Sequence, residues 1–208
     1  MRFVWLFTAA ALVASICPAA SVSYSSPSGI YSRVIQQLGG KVVNVSAYPA
    51  TIAGFEAFLK DSGVSRVSAA ELTEPNHPEI AARYGYSNFL PPQNWWPRGA
   101  ALAMVTQAIE GITSAAVHVR NWWRPTAYNN DKFVGGAKNG DHPTANAVDL
   151  DYASVMDRMK AERYLRGLCN RFPWMRISLG LGAATTHVGI DSPRGHREWH
   201  YAGWTPAS

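Results

Sequence analysis

The chain has 208 residues, a formal net charge of +5 at pH 7, 47% hydrophobic residues and two cysteines. This length is enough for one domain with its own hydrophobic core, and two cysteines exclude a disulfide-rich framework. The basic residues are spread along the chain and form no cluster, which argues against a nucleic-acid-binding protein, although a positive net charge favours an anionic surface such as a cell wall or membrane.

The first twenty residues have the layout of a secretory signal peptide. Arg2 is followed by an apolar run and then by small residues near Ala19 and Ala20. We therefore predict that residues 1–20 are a signal peptide and that the protein is exported, periplasmic or extracellular; a retained N-terminal anchor is the alternative. No later apolar run is long enough to span a membrane.

Residues 21–54 are predicted to form an N-terminal extension, and residues 55–208 the functional domain. The extension contains a short helix that stops at a Gly-Gly pair and an extended run over 41–48. In the domain, Ser68 with Glu71 predicts a capping box at a helix start. The further predicted elements are helices at 99–112 and 153–169 and strands at 115–121, 145–151 and 175–182.

The segment 123–151 contains the residues that favour a functional site. It combines an arginine, a glycine-rich bend, an imidazole and a carboxylate in one short stretch. Such polar residues are unsuited to a hydrophobic core and are typical of a functional site. His142 lies in a predicted loop, directly after the predicted turn residues Gly140 and Asp141. Asp149 lies seven residues later on a predicted strand, next to small residues. A loop imidazole and a strand carboxylate can converge on one divalent metal ion.

The order of motifs in this segment resembles a known family, the zinc D-alanyl-D-alanine carboxypeptidases and related peptidoglycan peptidases, whose fold is shared with hedgehog signalling domains. The matching residues are Arg124-Pro125-Thr126-Ala127-Tyr128-Asn129, Val134-Gly135-Gly136-Ala137, His142, Ala145, Ala147 and Asp149. Two positions depart from the family pattern, since Gly140 replaces a serine and Ala145 a glycine.

The resemblance implies an α+β fold, in which helices flank a small antiparallel sheet, and a zinc ion. It implies that His142 and Asp149 are zinc ligands and that Arg124 holds or polarises the substrate. Tyr128 and Asn129 belong to the same substrate-binding motif.

The resemblance also implies that a late histidine is the third zinc ligand. His187 in Thr-His-Val resembles the ligand strand of the relatives. His200 in Trp-His-Tyr is the alternative, although Arg197 stands where the relatives of that type carry a glutamate.

Two carboxylates are candidates for the general base. Many relatives carry an acid three residues before the ligand histidine, where this chain has Ala184, and others carry one two residues after it, where this chain has Gly189. On an extended strand Asp191 would share a face with His187. Asp191 could equally cap a turn before Pro193, and Glu198 is the other candidate.

Together these features predict a zinc-dependent peptidase that hydrolyses stem or cross-link peptides of peptidoglycan, as a D-Ala-D-Ala carboxypeptidase or an endopeptidase. The alternative is a non-catalytic, metal-containing module that binds the cell wall.

Overall fold

A computed structural model describes residues 27–137 and 139–206 of the chain. Helices flank a small five-stranded sheet. The helices are α1 (Pro27–Gln37), α2 (Ile52–Asp61), α3 (Ala69–Thr73), α4 (Pro78–Arg83), α5 (Trp96–Glu110), α6 (Thr126–Asn129) and α7 (Val155–Arg171). The strands are β1 (His118–Asn121), β2 (Ala147–Asp151), β3 (Ser178–Leu181), β4 (Thr185–Gly189) and β5 (Arg197–His200). The expected signal peptide, residues 1–20, lies outside the described residues.

The order of strands in the sheet is β1-β2-β4-β3-β5. Neighbouring strands are antiparallel except β3 and β5, which are parallel. The sheet is therefore mixed, and the expectation of a purely antiparallel sheet is corrected at this edge. The reason is topological: β3 and β4 are consecutive antiparallel strands, and the chain returns after β4 to pair on the far side of β3.

One face of the sheet packs on helices, and the other carries the candidate site. Val148 and Leu150 of β2 and Val188 of β4 are fully buried on the helical face, against α5 and α7. The residues between them, Asp149 and His187, point to the opposite face because side chains alternate along a strand.

Helix α5 is the central helix of the core. Its residues Ala100 to Ala103 are fully buried, on every side of the helix. A helix that is apolar all round is expected in the interior of a domain, and not at its surface. Helix α1 packs against α5, so the predicted N-terminal extension contributes Ile30 and Val34 to the same core as the sheet.

The predicted helix start at Ser68 is confirmed, but the capping box is only half formed. Ser68 Oγ accepts a hydrogen bond from the Glu71 amide at 3.1 Å, which satisfies one free donor of α3. The Glu71 carboxylate does not return to Ser68 and instead accepts from the Val119 amide at 3.0 Å. It thereby ties α3 to β1.

The predicted extended run over 41–48 is wrong, since this stretch contains a 3₁₀ turn at Val45–Ala47 and no strand. Within the part of the chain that the structure describes, no helix has the length and apolar character that crossing a bilayer requires.

Candidate metal centre

Asp149 and His187 are brought together by the register of the central strands. They are direct partners in the antiparallel β2–β4 pair, so their side chains leave the sheet side by side on the same face. Asp149 Oδ1 lies 2.9 Å from His187 Nδ1. Two of the residues that sequence reasoning selected are thus positioned by rigid strands.

His142 reaches the same point from a 3₁₀ turn, His142–Thr144, that immediately precedes β2. The turn ends at Ala145, which has a left-handed φ of 57°. Glycine adopts this conformation more readily than alanine. His142 Nδ1 lies 2.7 Å from the Trp122 carbonyl oxygen, which fixes the orientation of the ring.

Three ligand atoms meet in this place: His142 Nε2, Asp149 Oδ1 and His187 Nδ1. Their separations are 3.1 Å from His142 to Asp149, 3.2 Å from His142 to His187 and 2.9 Å from Asp149 to His187. Two atoms bound at about 2.0–2.1 Å to a tetrahedral zinc ion are about 3.3 Å apart. The spacing therefore suits a metal ion of this size.

The positions of protons and lone pairs in the triad also favour a bound cation. The Trp122 carbonyl can only accept, so His142 Nδ1 carries the proton and His142 Nε2 presents a lone pair. Asp149 Oδ1 is an acceptor as well. Two or three lone pairs facing one another at about 3 Å repel unless a proton or a metal ion lies between them. The triad can hold a metal ion.

The charge states in the triad suit metal binding near neutral pH. Burial lowers the pKa of His142, so its ring is neutral and free to ligate. Burial alone would raise the pKa of Asp149, but the neighbouring histidines hold that pKa well below its usual range. Burial lowers the pKa of His187, yet the neighbouring carboxylates of Asp141 and Asp149 outweigh burial and raise the pKa. A metal ion at His187 therefore competes with a proton.

Arg124 lies beside the triad. Its Nη2 donates to the other oxygen of Asp149, Oδ2, at 2.7 Å, and the Arg124 side chain is 11% exposed. Arg124 Nε is buried, and no described residue accepts a hydrogen bond from it. One side of the guanidinium thus orients Asp149, and Arg124 also lines the pocket described below.

Asp141 is a buried carboxylate behind the triad that sequence reasoning treated as a turn residue. Its Oδ2 accepts hydrogen bonds from Ser178 Oγ at 2.6 Å and Arg197 Nη2 at 3.1 Å, and it lies 3.6 Å from His187 Nε2. Burial would raise the pKa of Asp141, but these partners lower it. Asp141 is therefore ionised at neutral pH.

The wall of the site beyond His187 is aromatic. Gly180 of β3 pairs with His187 on one side and with Trp199 of β5 on the other. A Cβ on Gly180 would lie 2.6 Å from the Trp199 ring, so this glycine makes room for the indole. The Trp199 ring consequently reaches His187, at 5.2 Å between centroids, and Arg197 stacks on it at 4.7 Å.

An open pocket of about 630 Å³ lies over the triad. One wall is the glycine-rich segment 135–137, and another contains Trp199 and the half-exposed Tyr201. Arg194 and Arg197 also line it. The pocket has the size of a small-ligand site, and it gives a bound molecule access to the metal-binding atoms.

Tyr128 and Asn129, predicted to bind substrate, have mainly structural contacts. Tyr128 is fully buried and packs on Phe89 at 4.6 Å, outside the pocket. Asn129 lies at the pocket wall, but its Nδ2 donates to the Ala137 carbonyl oxygen at 3.1 Å. Asn129 thus holds the glycine-rich wall in place.

Asp191 is not brought to the triad. The strand β4 ends at Gly189, and Asp191 has a φ of 57°, so the extended geometry that would align it with His187 is broken. Its carboxylate lies 3.6 Å from Arg176 Nη1, and it does not line the pocket.

Glu198 and His200 also lie away from the triad. They alternate with Arg197 and Trp199 along β5 and so point to the other face. Glu198 is paired with Arg166 at 2.6 Å. His200 stacks on Trp204 at 3.6 Å between ring centroids. Of the two histidines considered as the third ligand, the structure brings His187 to the site and not His200.

Sequence reasoning also missed the role of the segment after residue 196. Arg197, Trp199 and Tyr201 alternate with Glu198 and His200, a period of two that is visible in the sequence. This alternation places Arg197, Trp199 and Tyr201 on the face of the pocket. Comparisons with protein-family models, curated proteins and solved structures gave no match for this chain.

Proposed function

We propose that this protein is a zinc-dependent peptidase that hydrolyses stem or cross-link peptides of peptidoglycan. One observation carries the proposal: three ligand atoms, 2.9–3.2 Å apart, converge at the base of an open pocket. Three protein ligands with an open fourth position are typical of catalytic zinc sites, whereas structural sites are closed by four.

The ligand set supports zinc over magnesium and calcium. Two imidazoles and one carboxylate suit zinc, whereas magnesium and calcium prefer oxygen ligands. Zinc, when bound, supplies Lewis acidity that polarises a peptide carbonyl and lowers the pKa of water toward about 7. His142, Asp149 and His187 would hold it.

Arg124 has two tasks in this proposal. Its bond to Asp149 Oδ2 holds that carboxylate in the ligand orientation. Arg124 also lines the pocket, where its remaining N–H groups donate to the substrate carbonyl oxygen as negative charge develops there. A donor placed in this way contributes about 2.7–4 kcal/mol to catalysis in hydrolases.

The pocket favours anionic peptides. Asp141 and Asp149 are the carboxylates among its described lining residues, and both already accept hydrogen bonds. Arg194 and Arg197 leave a positive wall. A free peptide carboxylate, such as the end of a stem peptide, complements this wall. The glycine-rich wall lets a peptide backbone approach closely.

The choice of peptidoglycan rests on the motif resemblance together with the leader and the positive net charge. We assign the hedgehog/DD-peptidase fold on the same basis, and the small mixed sheet with its flanking helices is compatible with that assignment.

A second function, a non-catalytic module that binds wall peptides through the metal, is favoured by one specific observation. Asp141 and Asp149 are both engaged, so the described pocket lining offers no free carboxylate as a proton acceptor. General-base catalysis typically contributes 10²–10⁴-fold to rate.

Digestion of purified peptidoglycan separates the two functions. The purified protein is stripped of metal, and half is reloaded with one equivalent of zinc. We expect new peptide termini or free D-alanine, resolved by mass, only with the reloaded protein. Wall fragments that bind to the zinc form but stay intact with every wall type tested would support the binding module instead.

A further inference from the structure

We propose that Asp141 is the positioning residue for His187, and that position 189 is a glycine because Asp141 occupies the space beside it. This inference rests on the proposed zinc site, but it concerns residues of this chain that lie outside the ligand triad.

The first observation is the unused nitrogen of His187. His187 Nδ1 faces the triad, so its Nε2 is the atom that carries a proton once Nδ1 is a ligand. This Nε2 is buried and has no hydrogen-bond partner within the described residues. The nearest carboxylate oxygen is Asp141 Oδ2, at 3.6 Å. Asp141 can orient the ring of His187 once this gap closes to hydrogen-bond distance.

The second observation is how firmly Asp141 is held in that position. Asp141 is 3% exposed. Ser178 Oγ and Arg197 Nη2 both donate to its Oδ2, from strands β3 and β5. A carboxylate fixed from two strands costs little further entropy when it orients a neighbouring ring.

The third observation is the space at Gly189. Gly189 pairs with Ser178 across β3–β4, and a Cβ at position 189 would collide with Ser178 Oγ and lie 2.9 Å from Asp141 Oδ2. Any side chain at 189 would therefore push Asp141 away from His187. Gly189 does not need its conformational freedom here, since its φ is not positive; it needs the missing Cβ.

A carboxylate behind a ligand histidine fixes the ring tautomer and raises the basicity of the ligand nitrogen. Loss of such a partner typically weakens metal binding 10–100-fold. Asp141 thus acts through His187, and it is a positioning residue that needs no contact with substrate.

The test measures zinc affinity of the full chain by competition with a chromophoric chelator, under conditions where circular dichroism shows each variant folded. We expect Asp141→Asn to weaken zinc binding 10–100-fold and to shift the visible absorption of the cobalt-substituted protein. Asp151→Asn is the matched control, because Asp151 lies on the same face of β2 as Asp149 but pairs with Arg120. This variant should leave the zinc affinity unchanged. Lower thermal stability of Asp141→Asn with wild-type zinc affinity would overturn the proposal.

Gly189→Ala provides a second route that leaves the charge of Asp141 intact. We expect a similar loss of affinity, and the double variant should lose no more than the worse single variant, because both changes break one contact. Losses that multiply would contradict the inference. The readout is independent of hydrolysis: weaker zinc binding by Asp141→Asn in a protein that cuts no wall peptide would retain this inference and refute the proposed activity.

Discussion

Asp149 and His187 face each other across β2 and β4, with Oδ1 and Nδ1 2.9 Å apart. This pairing means that two of the three candidate ligands are fixed by backbone hydrogen bonds of the central strands, and only His142 comes from a turn. Sites built on strands hold their geometry more accurately than sites on loops. The sheet therefore holds two of the three candidate ligand residues in place.

His187 is expected to be the third ligand, and His200 is not. Replacing His187 with alanine removes one ligand atom from the triad, so zinc content should fall from one per chain to near zero after dialysis. His200→Ala is the matched control, since His200 stacks on Trp204 on the other side of β5, and it should retain full zinc. Elemental analysis of both variants decides; the reverse pattern would move the ligand to His200.

Arg124→Ala is expected to bind zinc more weakly, because Arg124 orients Asp149, and to lose activity even at saturating zinc. The ligand set remains, but the donor beside the scissile carbonyl is gone, so hydrolysis should fall about 10²–10³-fold. Arg120→Ala is the control, because Arg120 forms a comparable ion pair with Asp151 at 2.7 Å outside the pocket. Turnover of wall peptides is measured for both variants. Equal activity in Arg124→Ala and Arg120→Ala would remove Arg124 from the catalytic account.

Asp191→Asn is expected to leave hydrolysis within about twofold of wild type. Removal of a general base would instead lower the rate of hydrolysis by about 10²–10⁴-fold. Asp191 pairs with Arg176 and does not line the pocket. Kinetics at saturating zinc provide the measurement. A large loss with normal zinc content would restore Asp191 as the general base.

Glu198→Gln is expected to change stability and not activity. The hydrogen bond from Arg166, opposed by partial burial, lowers the pKa of Glu198 below its ordinary 4.5. A carboxylate with a lowered folded-state pKa stabilises the fold above its unfolded pKa, and this contribution is lost as pH falls through the folded value. The variant should thus be less stable than wild type by about 1 kcal/mol or less at pH 7.

The difference between wild type and Glu198→Gln should shrink as the pH falls below the ordinary value of 4.5, where the unfolded chain takes up a proton, and should disappear below the lowered pKa of the folded state. Urea unfolding at several pH values provides the measurement. A stability difference that grows in acid would contradict the assigned pairing with Arg166.

Zinc is expected to stabilise the fold. A ligand that binds only the folded state at 100 times its Kd adds about 2.7 kcal/mol. For a domain of this size that corresponds to a rise in Tm of about 5–10 °C. Calorimetry with and without a chelator checks this rise, and His187→Ala should show none.

The sequence indicated two residues of the candidate metal triad because the spacing between them follows from local structure. Asp149 lies on a strand with a clear period of two, and His142 lies in the turn just before it, so a short segment placed both. His187 was harder to identify, because its position opposite Asp149 depends on strand register, and only the motif context favoured it over His200.

The remaining site residues could not be inferred in this way. Asp141 looked like a turn residue, and its role depends on Ser178 and Arg197 from distant strands. Asp191 was placed on an extended strand, but the chain turns there with a φ of 57°. The local sequence pattern thus predicted where side chains point within one element. It failed where the order of strands or a reversal of the backbone determines which side chains reach the site.

The central claim, that His142, Asp149 and His187 hold one zinc ion, is tested most directly by zinc X-ray absorption spectroscopy of the wild-type protein. We expect one zinc per chain with two imidazole nitrogens at about 2.0–2.1 Å and oxygen ligands at about 2.0–2.2 Å. A protein that retains no zinc at micromolar free metal, or a spectrum with a single imidazole, would contradict it.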